Sequence, residues 1–308
     1  MNIDFKKRIE EAAGISQLKV NEPMKLHTTF RIGGPADFFI VPDNLSGLIE
    51  AIRLCKEYEV PYDIIGNGSN LLVGDKGIRG AVIQLCHTLE EVSYEQKEDG
   101  SVLVRAGAGM LLSKLAKEVA GRGLGGFEFA AGIPGTFGGA VTMNAGAYGG
   151  EIKSLILYAA LLSDEGSIFT LHNQDLKLGY RTSIIQEKGY IVIEGGLILA
   201  PGDQQSIQKK IDDLASQRRA KQPLEYPSAG STFKRPQGYF AGKLIQDAGL
   251  KGYRVGDAMV SEKHSGFVIN VGSAAASDVV NLMNDVKAKV YESAGVHIEP
   301  EIRMIGEF

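Results

Sequence analysis

The chain has 308 residues and a formal net charge of −4, with 44% hydrophobic and 23% charged residues. This length allows two domains or three small ones and burial of roughly 75% of the unfolded surface, so the fold needs no metal or disulfide. The composition is that of a globular protein, and the net charge argues against a nucleic-acid-binding surface.

Hydrophobic periodicity predicts the elements of the chain in order. Helices are predicted over residues 3–13, 46–58, 110–120, 203–217, 241–249 and 276–293, and strands over 36–41, 63–66, 80–85, 102–107, 154–162, 167–171, 190–199, 267–271 and 296–305. Asn44 or Ser46 is the candidate N-cap of the second helix, and Gly295 terminates the last one. Helices and strands follow one another without a regular βαβ alternation, which predicts an α+β fold. Three prolines within 223–236 indicate a crossover between domains.

The N-terminal segment is amphipathic and charge-balanced and has no signal-peptide core. The apolar runs are far shorter than the ~20 residues that a membrane span requires. Cys55 and Cys86 lie in apolar-patterned segments, so we expect buried free thiols. These features predict a cytoplasmic protein without membrane insertion. The five histidines do not occur at metal-ligand spacing, so we expect no metal site.

Residues 126–150 contain eight glycines in 25 positions, together with core residues such as phenylalanine and isoleucine. Glycine backbone approaches other groups closely, and its N–H groups can surround a phosphate. A tightly packed turn between two strands would show the same pattern. The loop at 66–72 is similar: it suits a pyrophosphate but also fits an ordinary turn at the end of a strand. Neither segment is a Rossmann or Walker fingerprint.

Three other positions allow both a functional and a local interpretation. Ser231 follows a glycine turn, where a serine usually makes a local hydrogen bond. Arg181 follows a loop, where an exposed arginine is common. In the predicted last strand, Glu301 and Arg303 share one face, which either faces solvent or is directed into a cleft.

Seven segments, taken in order, resemble the UDP-N-acetylenolpyruvoylglucosamine reductase family. They are HTTFRIGGPADFFIVP (27–42), GNGSNLL (66–72), GIPGTFGGAVTMNAGAYGGE (132–151), GYR (179–181), AGSTFKRP (229–236), AGKLIQDAGLKG (241–252) and EPEIRMIG (299–306). The resemblance extends from about residue 20 to residue 306. It is to the shorter subtype, because the insertion that carries a tyrosine lid in the longer subtype is missing after Arg181.

The resemblance implies a two-subdomain FAD-binding fold of the PCMH type plus a third α+β domain that binds the substrate. We therefore predict an FAD-binding region over 1–222, with subdomains of about 1–75 and 76–222, and a substrate-binding domain over 223–308. Its C-terminal strand is expected to return to the active site. The implied reaction is the NADPH-dependent reduction of UDP-N-acetylglucosamine enolpyruvate to UDP-N-acetylmuramate, for peptidoglycan synthesis.

The resemblance also implies roles for individual residues. It assigns FAD to the two glycine-rich loops, at Gly66, Asn67, Gly68, Ser69, Asn70, Leu71, Gly132, Ile133, Pro134, Gly135, Gly138, Gly139, Ala140 and Asn144. The catalytic positions are Ser231 as proton donor, with Arg181 and Glu301 polarising the substrate carboxylate. The substrate-binding candidates are Tyr148, Tyr180, Arg218, Lys221, Tyr239, Lys243, His264 and Arg303.

Relatives of this fold that bind flavin covalently use a histidine or cysteine in the first loop, and this loop has neither. We therefore predict non-covalent FAD, with NADPH as the second substrate, and a monomer. Two alternatives remain open: an FAD-dependent oxidase of sugars or alcohols with the same fold, and a non-catalytic subunit that carries FAD.

Overall fold

The computed structural model describes residues 2–308 and combines helices with mostly antiparallel sheets. Its α-helices are α1 Ile3–Glu11, α2 Leu45–Glu57, α3 Leu112–Gly121, α4 Phe137–Thr142, α5 Ile184–Lys188, α6 Gln204–Lys221, α7 Ala241–Asp247 and α8 Ala276–Ala294. Short 3₁₀ helices span Met24–Leu26, Glu128–Gly132 and Ile152–Ser154. The predicted α+β class is confirmed.

The strands are short in most of the chain. They are β1 Ile15–Pro23, β2 Pro35–Pro42, β3 Tyr62–Ile65, β4 Leu71–Val73, β5 Ile78–Gln84, β6 Val92–Gln96, β7 Val102–Gly107, β8 Leu124–Gly125, β9 Gly146–Ala147, β10 Gly150–Glu151, β11 Ile156–Leu162, β12 Ile168–His172, β13 Ile191–Pro201, β14 Ser228–Ser231, β15 Arg254–Val255, β16 Ala258–Val260, β17 Phe267–Asn270 and β18 Arg303–Ile305.

The chain forms two compact units, each built from three separate segments. Unit 1 contains residues up to 18, 39–67 and 82–218, and unit 2 contains 19–38, 68–81 and 219–308. A four-stranded sheet has the order β1-β2-β5-β3, and the division between the units falls within β1, β2 and β5. The predicted domains are consecutive stretches of the chain, unlike these units, and their boundaries stay a prediction.

Unit 1 is organised around an antiparallel sheet of order β12-β11-β13-β7-β6, with β8 paired to β13. Its core includes the fully buried side chains of Leu112, Leu115 and Phe137. Leu112 and Leu115 are three residues apart, so they lie on the same face of α3. The amphipathic pattern over 110–120 therefore places this helix correctly.

Unit 2 contains the antiparallel sheet β14-β17-β16-β15 and the parallel pair β18-β4. Helix α8 buries Val279, Leu282 and Val286 in its core. Gly295 ends α8 with φ at +64°, a left-handed conformation that glycine adopts without strain. The terminator predicted from the sequence is confirmed.

The predicted last strand over 296–305 is wrong in its extent, because strand structure covers Arg303–Ile305. Ile298 and Ile302 are buried as the alternation suggested, but Met304 is 41% exposed. The segment changes its pairing partner, because Glu301 donates its N–H to the Thr232 carbonyl whereas Arg303 begins the pairing with β4. The segment before β18 instead contacts the rest of unit 2 through an isolated bridge between Phe233 and Pro300.

No helix within residues 2–308 is both long and apolar enough to cross a bilayer. Across the same residues, the histidine, cysteine and carboxylate side chains do not form a cluster of three that could hold a metal ion.

Asp75 caps the long helix α8 from a distant part of the chain. Its carboxylate accepts from the backbone N–H groups of Ala276 at 2.6 Å and Ser277 at 2.9 Å. Burial acts to raise the pKa of the Asp75 carboxyl, but these backbone hydrogen bonds outweigh it and the pKa lies below its ordinary value. The carboxylate therefore stabilises the fold in its charged form.

We predict that Asp75→Ala lowers the free energy of unfolding by about 1 kcal/mol at neutral pH, since a helix N-cap contributes that much. Because the pKa of this carboxyl is lower in the folded protein, its contribution to stability is complete above the unfolded pKa of about 4. The contribution is lost as the pH falls through the pKa of the folded state. Urea unfolding at pH 7 and pH 3 measures both effects. Asp213→Ala, at an exposed position of α6, is the control and should change the stability little. An equal loss of unfolding free energy at both pH values would contradict the role of the charge.

Candidate functional site

The second glycine-rich loop, Gly132–Asn144, starts at the end of a 3₁₀ helix and contains the short helix α4 in unit 1. Thr136 is the N-cap of α4, and its hydroxyl accepts from the N–H of Gly139 at 3.4 Å. Phe137, the first residue of α4, is fully buried in the core of unit 1. The loop is therefore anchored by a helix cap on one side and by an aromatic core residue on the other.

The first glycine-rich loop, Gly66–Leu71, begins against the second loop. The Asn67 side chain donates to the carbonyl of Pro134 at 2.6 Å. A Cβ on Gly66 would lie 2.3 Å from the hydroxyl oxygen of Thr136, which is closer than atoms approach. Only glycine at position 66 allows the two loops to approach this closely.

The rest of the first loop belongs to unit 2. Gly68 has φ at +63°, and a Cβ there would lie 2.0 Å from the carbonyl oxygen of His27. Strand β4 then pairs in parallel with β18, so that Leu71 lies opposite Arg303. Arg303 donates its backbone N–H to the Asn70 carbonyl at 2.9 Å, and the Asn70 amide donates to the Glu301 carbonyl at 3.3 Å.

Within residues 2–308, the backbone N–H groups of Ser69 and Asn70 donate to no other group of the chain. These amides lie in a glycine-containing turn, which is the donor set that a phosphate or pyrophosphate requires. The first loop therefore fits the phosphates of a dinucleotide.

Ser231 and Glu301 lie on neighbouring segments of unit 2. The N–H of Glu301 donates to the carbonyl of Thr232, the residue after Ser231, at 2.8 Å. Ser231 ends β14 opposite Phe267 of β17 and is half-buried. Its hydroxyl makes no hydrogen bond to another group among residues 2–308, so the local hydrogen bond that a serine usually makes is not formed. The structure thus brings together two of the three predicted catalytic residues.

Arg181 and Tyr180 form the tip of a tight turn in unit 1. Gly179 and Thr182 close the turn through two backbone hydrogen bonds of 3.0 and 3.3 Å. Arg181 has φ at +57°, in the left-handed region that non-glycine residues rarely occupy. Its guanidinium carbon lies 5.2 Å from the centre of the Tyr180 ring. A non-glycine residue held in this conformation is typical of functional turns.

Tyr148 lies at the tip of the two-residue hairpin between β9 and β10. Tyr148 and Gly149 both have positive φ, +52° and +85°, as a type I′ turn requires. Arg218, near the end of α6, packs against the second loop, since a Cβ on Gly132 would lie 2.2 Å from its guanidinium. Burial lowers the pKa of Arg218, and Tyr148 acts in the opposite direction.

The remaining substrate-binding candidates lie in unit 2 and differ in their surroundings. Burial lowers the pKa of His264, and its Nδ1 accepts from the N–H of Gly266 at 3.1 Å, so the ring is neutral with its proton on Nε2. Lys243 is exposed and paired with Asp247 on its own helix. Lys221, Tyr239 and Arg303 are exposed at the surface of the unit.

Several residues that support the loops were not among the predicted site residues. Thr136 orders α4, and Gln84 donates its amide to the Gly66 carbonyl at 3.2 Å. The thiol of Cys86 lies 3.7 Å from the Asn67 amide oxygen. Thr136 was recognisable as a threonine immediately before a helix. Gln84 and Cys86 carry no local signal, because their role depends on the sheet that brings them to the loop.

Two family models match the chain. Residues 36–172 match the FAD binding domain, and residues 222–305 match the C-terminal domain of UDP-N-acetylenolpyruvoylglucosamine reductase. The UDP-N-acetylenolpyruvoylglucosamine reductase of Lachnoclostridium phytofermentans is 53% identical over 100% of this chain and 99% of its own length. That of Agathobacter rectalis is 52% identical over the full length of both chains.

The chain belongs to the UDP-N-acetylenolpyruvoylglucosamine reductase family. The crystal structure of the reductase from Thermus caldophilus agrees, with a TM-score of 0.78 and 35% identity over 94% of this chain and 98% of that one. Together with the FAD binding domain match, this similarity confirms the predicted flavin-binding fold of the PCMH type. Membership of the reductase family was correctly inferred from the seven sequence segments.

Both cysteines of this reductase-family chain are free and buried, as predicted. Burial raises the pKa of the Cys55 thiol to about 12 and that of Cys86 to about 11, with Glu90 adding to the effect on Cys86. The thiolate form, which reacts with alkylating reagents, is therefore scarce at neutral pH.

We predict that both thiols of the native protein react with iodoacetamide at pH 8 at least about 100-fold more slowly than a free cysteine, with Cys86 ahead of Cys55. Mass spectrometry of timed samples measures the rates, and denatured protein is the control in which both thiols react fully. Rapid labelling of Cys86 in native protein would show that the thiol is not held in the buried position described here.

Proposed function

We propose that this chain catalyses the FAD-dependent reduction of UDP-N-acetylglucosamine enolpyruvate to UDP-N-acetylmuramate with NADPH, a step of peptidoglycan precursor synthesis. The observation that carries the proposal is the full-length identity of 53% with a reductase named for the enolpyruvyl substrate. The glycine-rich loops and the neighbouring positions of Ser231 and Glu301 supply the chemistry that this reaction needs.

The two loops would hold the cofactor through the backbone of Gly66–Leu71 and of Gly132–Asn144. The amides of Ser69 and Asn70, which have no partner within residues 2–308, match the anionic oxygens of a pyrophosphate. When bound, flavin supplies the capacity to accept a hydride from NADPH and to deliver one to the terminal vinyl carbon of the sugar nucleotide.

The chain must stabilise negative charge beside the substrate carboxylate, because a vinyl ether accepts a hydride poorly. We propose that Arg181 and Glu301 bind that carboxylate, Arg181 through its cation and Glu301 through a hydrogen bond. Such groups lower the barrier by stabilising the charge that develops in the transition state. The turn that holds Arg181 in a left-handed conformation fixes the direction in which its side chain leaves the backbone.

Ser231 is the proposed proton donor to the carbon that carries the carboxylate. Its hydroxyl makes no hydrogen bond to another group within residues 2–308, so it is available to a substrate. A serine that served only a local turn would spend its hydroxyl on a neighbouring backbone group.

Positive and polar side chains are proposed to bind the diphosphate and the sugar. Arginine supplies a bidentate fork and lysine a point charge. Because its ring is neutral, His264 would act as a hydrogen-bond donor through Nε2 rather than as a charge. The proposed binding residues are Tyr148, Tyr180, Arg218, Lys221, Tyr239, Lys243, His264 and Arg303. A cytoplasmic location and a monomeric state remain part of the proposal, and the two free thiols support the location.

We predict that acid denaturation releases all flavin from the purified protein, because the first loop contains no histidine or cysteine for a covalent bond. Absorbance of the supernatant and of the washed pellet measures the distribution. Gly68→Ala should bind at least about tenfold less flavin, since a side chain there would displace the His27 backbone. Gly100→Ala, in an open turn that also has a positive φ, is the matched control. Flavin retained in the pellet would contradict non-covalent binding.

We predict that Ser231→Ala slows the reoxidation of reduced flavin by the enolpyruvyl sugar nucleotide by about 10²–10⁴-fold, the usual contribution of a proton donor. Flavin reduction by NADPH should be unchanged, because that step does not use the serine. Anaerobic stopped-flow absorbance measures the two half-reactions separately. Ser293→Ala, near the end of α8, is the control.

Two outcomes would count against the proposal. If the wild type is not reoxidised by the sugar nucleotide but reacts with oxygen after reduction by a sugar or alcohol, the chain is an oxidase. If both half-reactions stay fast in Ser231→Ala, another group donates the proton.

A further inference from the structure

Asn144 lies at the C-terminal end of α4, where the helix end sets its backbone conformation. The N–H of Ala145 donates to the Ala140 carbonyl at 2.8 Å, and that of Asn144 donates to the Val141 carbonyl at 3.2 Å. This pair of hydrogen bonds is a Schellman motif, with Asn144 at the left-handed position and φ at +42°. Asparagine tolerates this conformation better than most residues.

The side chain of Asn144 is 2% exposed and fully engaged as a donor. Its Nδ2 donates to the carbonyl of Gly179 at 3.0 Å and to Oε2 of Glu151 at 3.1 Å, and its Oδ1 accepts from the N–H of Lys153 at 2.9 Å. A primary amide has two N–H donors, so both are used within the protein. No N–H of this side chain remains for a cofactor.

Two partners of Asn144 belong to the segments that carry Tyr148 and Tyr180, two of the proposed substrate-binding side chains of unit 1. Gly179 is the first residue of the turn that presents Tyr180 and Arg181. Glu151 ends β10, the second strand of the hairpin whose tip is Tyr148. One buried amide therefore connects the end of α4 with both segments.

A second set of hydrogen bonds holds the other side of the Arg181 turn to the same helix end. Gln186 donates its amide to the carbonyls of Arg181 at 3.1 Å and Thr142 at 2.9 Å. Ser183 donates its hydroxyl to the Thr142 carbonyl at 2.6 Å. A non-glycine residue keeps a left-handed conformation when its surroundings hold it there, and here Arg181 is held from both sides.

We propose that Asn144 is a positioning residue for Arg181, and that its side chain holds the turn of Arg181 and the hairpin of Tyr148 to α4 rather than binding flavin. The proposal rests on the proposed function for the role of Arg181 in the reaction. The placement of the turn, by contrast, is inferred from the hydrogen bonds of Asn144 alone.

Limited proteolysis of the flavin-loaded protein tests the placement without any measurement of turnover. Trypsin cleaves after Lys177 and Arg181 when the turn opens locally. Asn144→Gly keeps a residue suited to the left-handed conformation but removes the amide, so cleavage at these two sites should be at least about fivefold faster than in the wild type. Mass spectrometry identifies the sites and their rates.

Asn173→Gly is the matched control, because the Asn173 amide also donates to two carbonyls, those of Lys153 at 2.8 Å and Ile156 at 2.7 Å. It should not accelerate cleavage after Arg181. Asn144→Asp, which keeps the size and loses the donors, serves as the second variant if Asn144→Gly does not fold. Unchanged cleavage in a folded Asn144 variant would overturn the proposal.

A double-mutant cycle tests the action through Arg181. Asn144→Gly should slow reoxidation by the enolpyruvyl sugar nucleotide by about 10–100-fold, because small displacements of a positioned group cost this much. Flavin content and the NADPH half-reaction should stay within about threefold of the wild type. In the Arg181→Ala background the further loss should be less than about threefold, since coupled residues are not additive.

The outcomes separate the two proposals. Losses that multiply in the double variant, or a parallel loss of flavin, would show that Asn144 does not act through Arg181. A wild type that is not reoxidised by the sugar nucleotide would refute the proposed function, and the proteolysis result would still decide whether Asn144 holds the turn.

Discussion

The close approach of two glycine-rich backbones is the constraint on which the candidate site of this protein depends. Gly66 lies so near the Thr136 hydroxyl that a single methyl group there would occupy the same space. Asn67 then donates to the Pro134 carbonyl, which joins the first loop to the loop that leads into α4. Because Thr136 also caps α4, and Phe137 is buried beside it, the positions of Gly66 and Asn67 are tied to the core of unit 1. A flexible linker rich in glycine would have no such anchors.

In unit 2, a parallel strand pair holds the remaining residues of the first loop in place. Strand β4 leaves the first loop and pairs with β18, which lies more than 200 residues later in the chain. This pairing sets Arg303 opposite Leu71 and brings the Glu301 carbonyl to the amide of Asn70. The same C-terminal segment contacts Thr232 and so lies beside Ser231. One sheet interaction therefore sets the neighbours of the proposed phosphate-binding turn and of two proposed catalytic residues.

The polar groups around these loops serve mostly to hold backbone in place. Asn144, Gln84 and Thr136 each use a side chain to bind a backbone group of a loop or turn. Buried polar side chains are stabilising only when they are paired, and these pairings determine which loop conformations are compatible with the fold. The Arg181 turn illustrates the result, since a conformation that arginine rarely adopts is maintained by hydrogen bonds from neighbouring segments.

Local patterns in the sequence determined the regular elements that bury one face. The periodicity over 46–58 and 276–293 located α2 and α8, and Asn44 and Gly295 marked a start and an end because capping is a local property. The segments shared with the reductase family identified the membership that the comparisons confirm. Strands β1 and β6 were missed because neither buries a continuous face. The extent of the last strand was wrong because its segment changes pairing partner between Pro300 and Arg303. The predicted site residues stay predictions, although Ser231 and Glu301 prove to be neighbours.

What the sequence alone could not provide is the set of contacts between distant segments. Nothing near Asn144 indicates that its amide binds Gly179, and nothing near Asp75 indicates that it caps a helix 200 residues away. Periodicity reports the burial of a residue relative to its neighbours in the chain, whereas these hydrogen bonds depend on how sheets and helices pack in three dimensions. The sequence determined which residues and elements are present and the family to which they belong. The tertiary structure decided which of them meet, because a partner far along the chain leaves no local pattern.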